Sequence, residues 1–478
     1  MFSQRDSLPT PQSSTKLMLL PLLLGILLFA IGCGGGGSSM SGSPEPTPTP
    51  TSAVQIKIGD SSSERLLSVE FTASALHLID AKGTSINILP SSRRLEFTHL
   101  AGTSQLIAAL NMPQGTYNQA IFDGSDFHVT YLDYTGQPQE YTVSDAVQFT
   151  VALPSLVIGS LSTIVSVDFD LANSITVDPT NVNPPVVTPV LTFSTMPVRP
   201  TPTQQPEDGS LENVVGLVNS VAGSKFTMTP ERDAFQLTFD TSSGTQFENV
   251  TLTTLPNTLV KVEGITLLDG SLEATKVSAW ADKNGAEFEG VLTNYYNYIT
   301  SEGIMVIAQD AVGSGFFSLE DTVGKTARAG TLGATYAVNS DGMDMTGITF
   351  TFDPHTANLN YGQRVRMMST SGFIRGDPQL NEELTAQTVT LEKQALTGIV
   401  QNYQAGATAQ YFDLMLDAGS YLTILNHASS MVVHVVQQPG TNLHGISSVQ
   451  NGDNVRVRGL LFYDYQTGFH MVAQRIWK

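Results

Sequence analysis

Cysteine is nearly missing from this 478-residue chain, with Cys33 the single one. One thiol excludes an internal disulfide and any cysteine-based metal site. Basic residues are scarce as well: 23 Lys and Arg stand against 43 Asp and Glu, a net charge of −20. A surface of that sign repels phosphate backbones and anionic headgroups, which argues against a nucleic-acid partner and against a basic clamp on lipid. Charge of either sign is sparse, at 14% of residues beside 41% hydrophobic, so the chain has the material for packed cores and is not of disordered composition. The apolar stretch from Leu17 to Ile31 is broken by Pro21 and Gly25 and is shorter than the roughly 20 residues a bilayer span needs. Gly-x-Ser-x-Gly, His-Glu-x-x-His and P-loop signatures are lacking, so no catalytic residue and no cofactor is predicted.

What is present begins with Lys16, the apolar stretch, and then Ala30-Ile31-Gly32-Cys33 followed by Gly34 to Gly37. A basic start, a short apolar region and small residues at a cut form a secretory signal. The cysteine just after the cut makes the segment resemble a bacterial lipoprotein signal. That resemblance implies removal of residues 1–32, acylation of Cys33, and a membrane partner engaged through the lipid. It also implies a cell-envelope location, at the outer membrane if the host has two. More than one acyl chain gives firm anchoring.

Residues 33–53, rich in Gly, Ser, Pro and Thr, read as a flexible tether. A second Pro-rich linker is expected at 196–210. Between them, 54–195 reads as a β-sandwich. Val54, Ile56 and Ile58 alternate with polar residues, as do Leu67, Val69, Phe71 and Val165, Val167, Phe169. Turns are expected at Asp123-Gly124 and Tyr134 to Pro138, and Gln105 to Leu110 is expected to form one short helical turn. Met112-Pro113-Gln114-Gly115-Thr116-Tyr117 before a strand, and Val167 to Asp170 followed by Ser174-Ile175, resemble motifs of an uncharacterised N-terminal domain family of bacterial lipoproteins. The resemblance implies a transthyretin- or immunoglobulin-like sandwich and brings no activity with it.

The remainder carries a repeat. Val215-Gly216-Leu217-Val218, Val260-Lys261-Val262-Glu263-Gly264 and Leu272 to Val277 recur in order as Thr397-Gly398-Ile399-Val400, Val455 to Gly459 and Met471 to Ile476. A middle copy runs from Glu289-Gly290-Val291 through Arg364-Val365-Arg366 to Leu384 to Val389, with an insertion in Ser314–Thr346. Glycine ending a V-x-V-x-G strand marks a bulge or bend, which closing a small barrel requires. Three OB-like β-barrels are therefore expected, at 211–283, 284–393 and 394–478, giving an all-β chain. These units resemble a second uncharacterised family of small β-barrels in envelope proteins. The first barrel's core is predicted to hold Val215, Val218, Phe239, Val260, Val262 and Val277.

Eight histidines are scattered with no ligand spacing, so no metal site is predicted. Asp123-Gly124-Ser125-Asp126 and Asn339 to Asp344 read as polar turns and not as calcium loops. Tyr295, Tyr296 and Tyr298, with Phe462, Tyr463 and Tyr465, form the candidate ligand face, because aromatics on a β-face stack on sugars or protein partners. Three functions are weighed. The first is a non-catalytic anchored module that binds or scaffolds an envelope protein or glycan. The second is an envelope glycan hydrolase with an unrecognised carboxylate pair. The third is a purely structural spacer.

Overall fold

The computed structural model describes residues 49–478 apart from 62–64, 90, 144–145, 179–184, 199–208, 231–234, 281–284, 299–300, 313–321, 353–357, 371–382 and 407. The signal, Cys33 and most of the tether lie outside the described residues. The described chain forms one compact unit and is a multidomain all-β protein.

The first module is a sandwich. One sheet orders the strands Leu191–Pro197, Thr163–Asp170, Thr51–Ser61 and Ser104–Pro113. The other is built on Leu66–Asp80 and the long Gly115–Leu132. Val54, Ile56, Ile58, Val165, Val167 and Phe169 fill the core from the first sheet, and Val69, Phe71, Phe122 and Phe127 meet them from the second. The period-two pattern thus does place one face of each strand inside.

Several local expectations change. The first strand already starts at Thr51, where Thr51 to Ala53 pair with Asn111 to Pro113, because Ser104–Pro113 is a strand and Gln105 to Leu110 forms no helical turn. At the other end of the sandwich, Met196 and Pro197 belong to a strand and Val198 is buried, so the linker begins later. Asp123-Gly124 does not turn the chain. The strand runs through it, and a register shift near Asp126, at φ 52, absorbs the irregularity. Leu67 leaves the Val69/Phe71 face because it is the extra residue of a bulge between Leu66 and Ser68. It packs instead against the last barrel's core. The turn at Tyr134 to Pro138 forms, with the Asp133 carboxylate accepting from the Thr135 and Gln137 amides. Met112 to Tyr117 forms the bend before a strand, held by Tyr117 donating to the Pro113 carbonyl at 2.9 Å.

The first and last repeats are closed five-stranded barrels of identical strand order, first-second-third-fifth-fourth. In both, the third and fifth strands pair in parallel and the first and fourth close the ring. This is the OB order. The first comprises Ser210–Ala222, Lys225–Pro230, Leu237–Glu248, Leu259–Thr266 and Leu272–Ala279, and the last Lys393–Ala405, Gln410–Leu416, Met431–Leu443, Asn454–Asp464 and Gly468–Trp477, so Lys393 belongs to the last barrel and not to the middle copy. Val218, Phe239, Val260, Val262 and Val277 are in its core, whereas Val215 is only half-buried and lines an outer cleft. A shift between Leu211 and Val214 sets that strand's phase.

The V-x-V-x-G glycines sit at register shifts, Glu263/Gly264 and Arg458/Gly459. A Cβ on Gly264 would lie 2.5 Å from the Glu273 carbonyl oxygen, and one on Gly459 2.1 Å from that of Val472. Only glycine lets the fourth strand bend this closely onto the fifth. Gly459→Ala is expected to cost about 1–3 kcal/mol, the usual range for forced overpacking, read as a lowered melting temperature. An unchanged melt would mean the bulge is not needed for closure.

The middle copy keeps the same pairing order, with Ala286–Tyr298 between Ser301–Val312 and Arg364–Ser369, but it is a seven-stranded sheet and not the closed barrel expected, so the middle barrel is a barrel in strand order alone. Its fifth strand is split. Glu383–Thr385 pairs with Thr326–Gly330, and Thr388–Leu391 pairs with Arg364–Ser369. The gap is spanned by Ala386 donating to the Gly330 carbonyl and Gln387 to that of Met368. Ser369 stands where the other copies have glycine, and the strand ends there. The insertion adds a strand, Thr335–Val338, parallel to Thr388–Leu391.

Candidate functional site: a charged cleft between the modules

The four modules dock through buried polar contacts. Lys57 of the sandwich donates to the Ser210 carbonyl at 2.6 Å, and Thr266 of the first barrel donates to Gln55 at 2.7 Å. Gln309 of the middle barrel donates to the Leu67 carbonyl at 2.8 Å. Arg458 of the last barrel donates to the Ala101 carbonyl at 3.0 Å. Where they meet lies a cleft of about 160 Å³.

Its lining is unusual for so acidic a chain. Arg93, Arg94, Lys261, Arg364, Arg366, Lys393 and Arg458 all face it, seven of the 23 basic residues. They reach it because they occupy strand positions opposite the core residues. Arg364 and Arg366 flank the buried Val365, Lys261 lies between Val260 and Val262, and Arg458 follows Val457. Docking of the modules then covers what would otherwise be solvated faces.

Most of these charges are paired. Arg364 contacts Glu289 at 2.5 Å and donates to the Lys393 carbonyl at 3.0 Å. Arg366 pairs with Glu392 and lies 3.7 Å from Glu287, whose carboxylate also accepts from the Trp280 indole at 2.7 Å. Asn339, from the insertion, donates to Glu392 at 2.6 Å. Arg94 contacts Glu70 at 2.8 Å.

Three cations differ. Lys393, 8% exposed, and Lys261 make no hydrogen bond or ion pair among the described residues, and Arg458 has only carbonyl contact. Burial lowers the Lys393 ammonium, helped by Arg458, and lowers Lys261, helped by Arg366. Burial, with Arg364, brings Arg458 down to about 10. The carboxylates respond in opposite senses. Burial pushes Glu289 up against the pull of Arg364. Glu392 stays low because Arg366 and Lys261 outweigh its burial.

Of the four candidate aromatics whose side chains are described, Tyr295 and Tyr463 lie near one another, and Phe462 and Tyr465 do not join them in one open face. Phe462 is 1% exposed and packs into the middle barrel's core beside Phe350, so it presents nothing to a ligand. Tyr463 points to the opposite side of the same strand and packs on Phe469 inside the last barrel. Tyr295 is half-buried against Tyr361, and burial raises its phenol. Tyr465 is open, 78% exposed on a turn. Tyr296 and Tyr298 lie on the strand Ala286–Tyr298, but their side chains are outside the described residues. Alternation along a strand separates neighbours, which is why consecutive aromatics are a poor guide.

Two histidines far apart in sequence do meet. His434 and His470 are register partners with rings 5.2 Å apart, and His434 is held by Asp413 at 2.7 Å. No group of three metal-ligating side chains occurs among the described residues. Asn339 to Asp344 forms the expected polar turn and contributes Asn339 to the cleft.

Fold and cleft together define an all-β protein in which a sandwich and small OB-ordered barrels enclose a charged seam. Residues 215–278, within the first barrel, match a family described as a domain of unknown function, DUF5666. No curated protein matches the chain. Among solved structures, a multidomain protein with nucleic acid binding domains from Streptococcus pneumoniae TIGR4 aligns with 54% of this chain and 72% of its own, at 9% identity and a TM-score of 0.11. A likeness that slight carries no argument.

Proposed function

We propose that this is a lipid-anchored, non-catalytic protein of the bacterial envelope that binds or scaffolds a partner there. One observation carries the reading: the modules fold back on each other, the last barrel reaching the sandwich through Arg458 and Ala101, so that they present one body with an internal cleft. A spacer gains nothing from such folding back, since reach favours modules strung end to end. The anchor rests on Cys33 and the segment before it.

The hydrolase reading draws on one observation, the opposed shifts of Glu289 and Glu392, which an acid and a base would need. Against it, each carboxylate is tied to an arginine, and about 160 Å³ is too little for a glycan chain crossing the site.

Two measurements test the proposal. Cells making wild type or Cys33→Ser are labelled with a fatty-acid analogue and fractionated. The wild type is expected to carry label in the membrane fraction, and Cys33→Ser to lose both label and membrane retention. Retention of the variant as before overturns the anchor. The purified full chain is then used to capture partners from envelope extracts, and recovery of neither protein nor glycan overturns the binding role.

A further inference from the structure

We propose that the inter-module cleft is a binding site for a small oxyanion, a phosphate or carboxylate group held among Lys393, Lys261 and Arg458. Three features converge. The three cations come from two different modules, the first and last barrels, and all line one cleft. None has a counter-ion within ion-pair distance among the described residues, although the arginines beside them are matched: Arg364 by Glu289, Arg366 by Glu392 and Arg94 by Glu70. Lys393 is more than nine-tenths buried as a residue, and its ammonium has no hydrogen bond or ion pair among those residues while still open to the cleft.

A cation that loses most of its water with no counter-ion close by is costly. Arg458 serves docking through the Ala101 carbonyl, but the interface makes no hydrogen bond or ion pair to either lysine among the described residues. Apolar side chains of the same length would cover the same area. An oxyanion entering the cleft would instead satisfy all three at once with charge-assisted hydrogen bonds. Carboxylates act on the three from longer range, Glu392 on each of them, Glu289 on Lys261 and Arg458, and Glu212 on Lys393 and Arg458, and none comes within ion-pair distance among the described residues. The volume of about 160 Å³ suits a small ion. The surrounding negative charge of the chain selects further. It repels large polyanions at long range, while the cleft field acts on a small ion that has already entered.

The test is isothermal titration of the full chain with inorganic phosphate and, separately, citrate, at constant ionic strength in chloride. Saturable one-to-one binding of at least one of the two is expected, with a rise in melting temperature. Lys393→Met with Lys261→Met is expected to weaken it by at least about tenfold, the usual scale for hydrogen bonds to charged groups. The same pair is expected to raise the melting temperature of the anion-free protein, which a misfolded variant would not do. Lys478→Met, on an exposed ion pair to Asp453, should leave binding unchanged. No saturable binding overturns the site, as does complete displacement by chloride, which would indicate a counter-ion only, or equal binding by the double variant. The anchor at Cys33 can fail without touching this result, and the site can fail while the anchor stands.

Discussion

Val262→Asp is expected to destroy the first barrel. Val262 is fully buried among Phe239, Val260 and Val277, in a cluster of hydrophobic side chains that offers a carboxylate no partner. An uncompensated buried charge costs roughly 3–5 kcal/mol, a large share of what a module this size possesses. The damage should not stop at residue 279. Lys57 of the sandwich is 1% exposed, and its ammonium donates to the Ser210 carbonyl at the start of the barrel. Losing the barrel uncovers Lys57 and Gln55 and weakens the sandwich. Limited proteolysis should cut within 210–279 first, and calorimetry should show the sandwich transition lowered as well. Cleavage and melting equal to those of the wild type would mean that Val262 does not point into the barrel.

Acidification should loosen the contact between the sandwich and the middle barrel. His128 is 8% exposed on the strand Gly115–Leu132, and its Nδ1 has no partner among the described residues. Gly324 of the middle barrel lies against the ring, and the Thr130 hydroxyl donates to the Gly324 carbonyl beside it. Burial, then the charges of Lys325 and Arg94, bring the imidazole down to about 4 from 6.5. Glu70 is its register partner on one side and Thr142 on the other, and Arg94 ties up the Glu70 carboxylate. Between pH 6.5 and 4 the unfolded chain holds a proton that the folded one does not. Stability contributed by neutral His128 is therefore complete above 6.5 and is lost as pH falls through 4, by roughly 3 kcal/mol. His128→Phe removes the titration and forfeits no Nδ1 hydrogen bond. Its melting temperature should fall less between pH 7 and 4 than that of wild type. Parallel pH profiles for the two proteins would remove His128 as the cause.

The barrels are readable from sequence because their constraint is local. Gly264 and Gly459 lie inside their strands right after the alternating apolar residues, and a bend at that point is a property of the strand itself. The middle copy is less readable because Ser369 replaces the glycine and the fifth strand breaks at Ala386-Gln387, so its signature is divided. Bulges escape for a similar reason. One extra residue at Leu67 turns a side chain to the other face, and nothing in the letters marks which residue is extra. The cleft is not readable at all. Lys261, Arg364, Lys393 and Arg458 each look like ordinary outward-facing charges on a half-buried strand. Only docking turns them inward, and docking depends on residues such as Ala101 and Arg458 that lie 357 positions apart. The single hint is the Arg-Val-Arg pattern repeated at 364–366 and 456–458, in a chain with so few basic residues.

The meeting of the last described strand with the sandwich has a consequence for biogenesis. The Trp477 ring lies where a side chain on Gly102 would be, and Arg475 reaches the Gly102 carbonyl at 3.4 Å. As the chain emerges from the ribosome, or crosses a membrane, residues 99–103 wait for a lid made several hundred residues later. Assembly must proceed with that patch bare, and such distant closures are slow. A nascent intermediate halted before Gly468 would carry an unfinished N-terminal module, a natural target for chaperones and proteases that survey newly delivered chains.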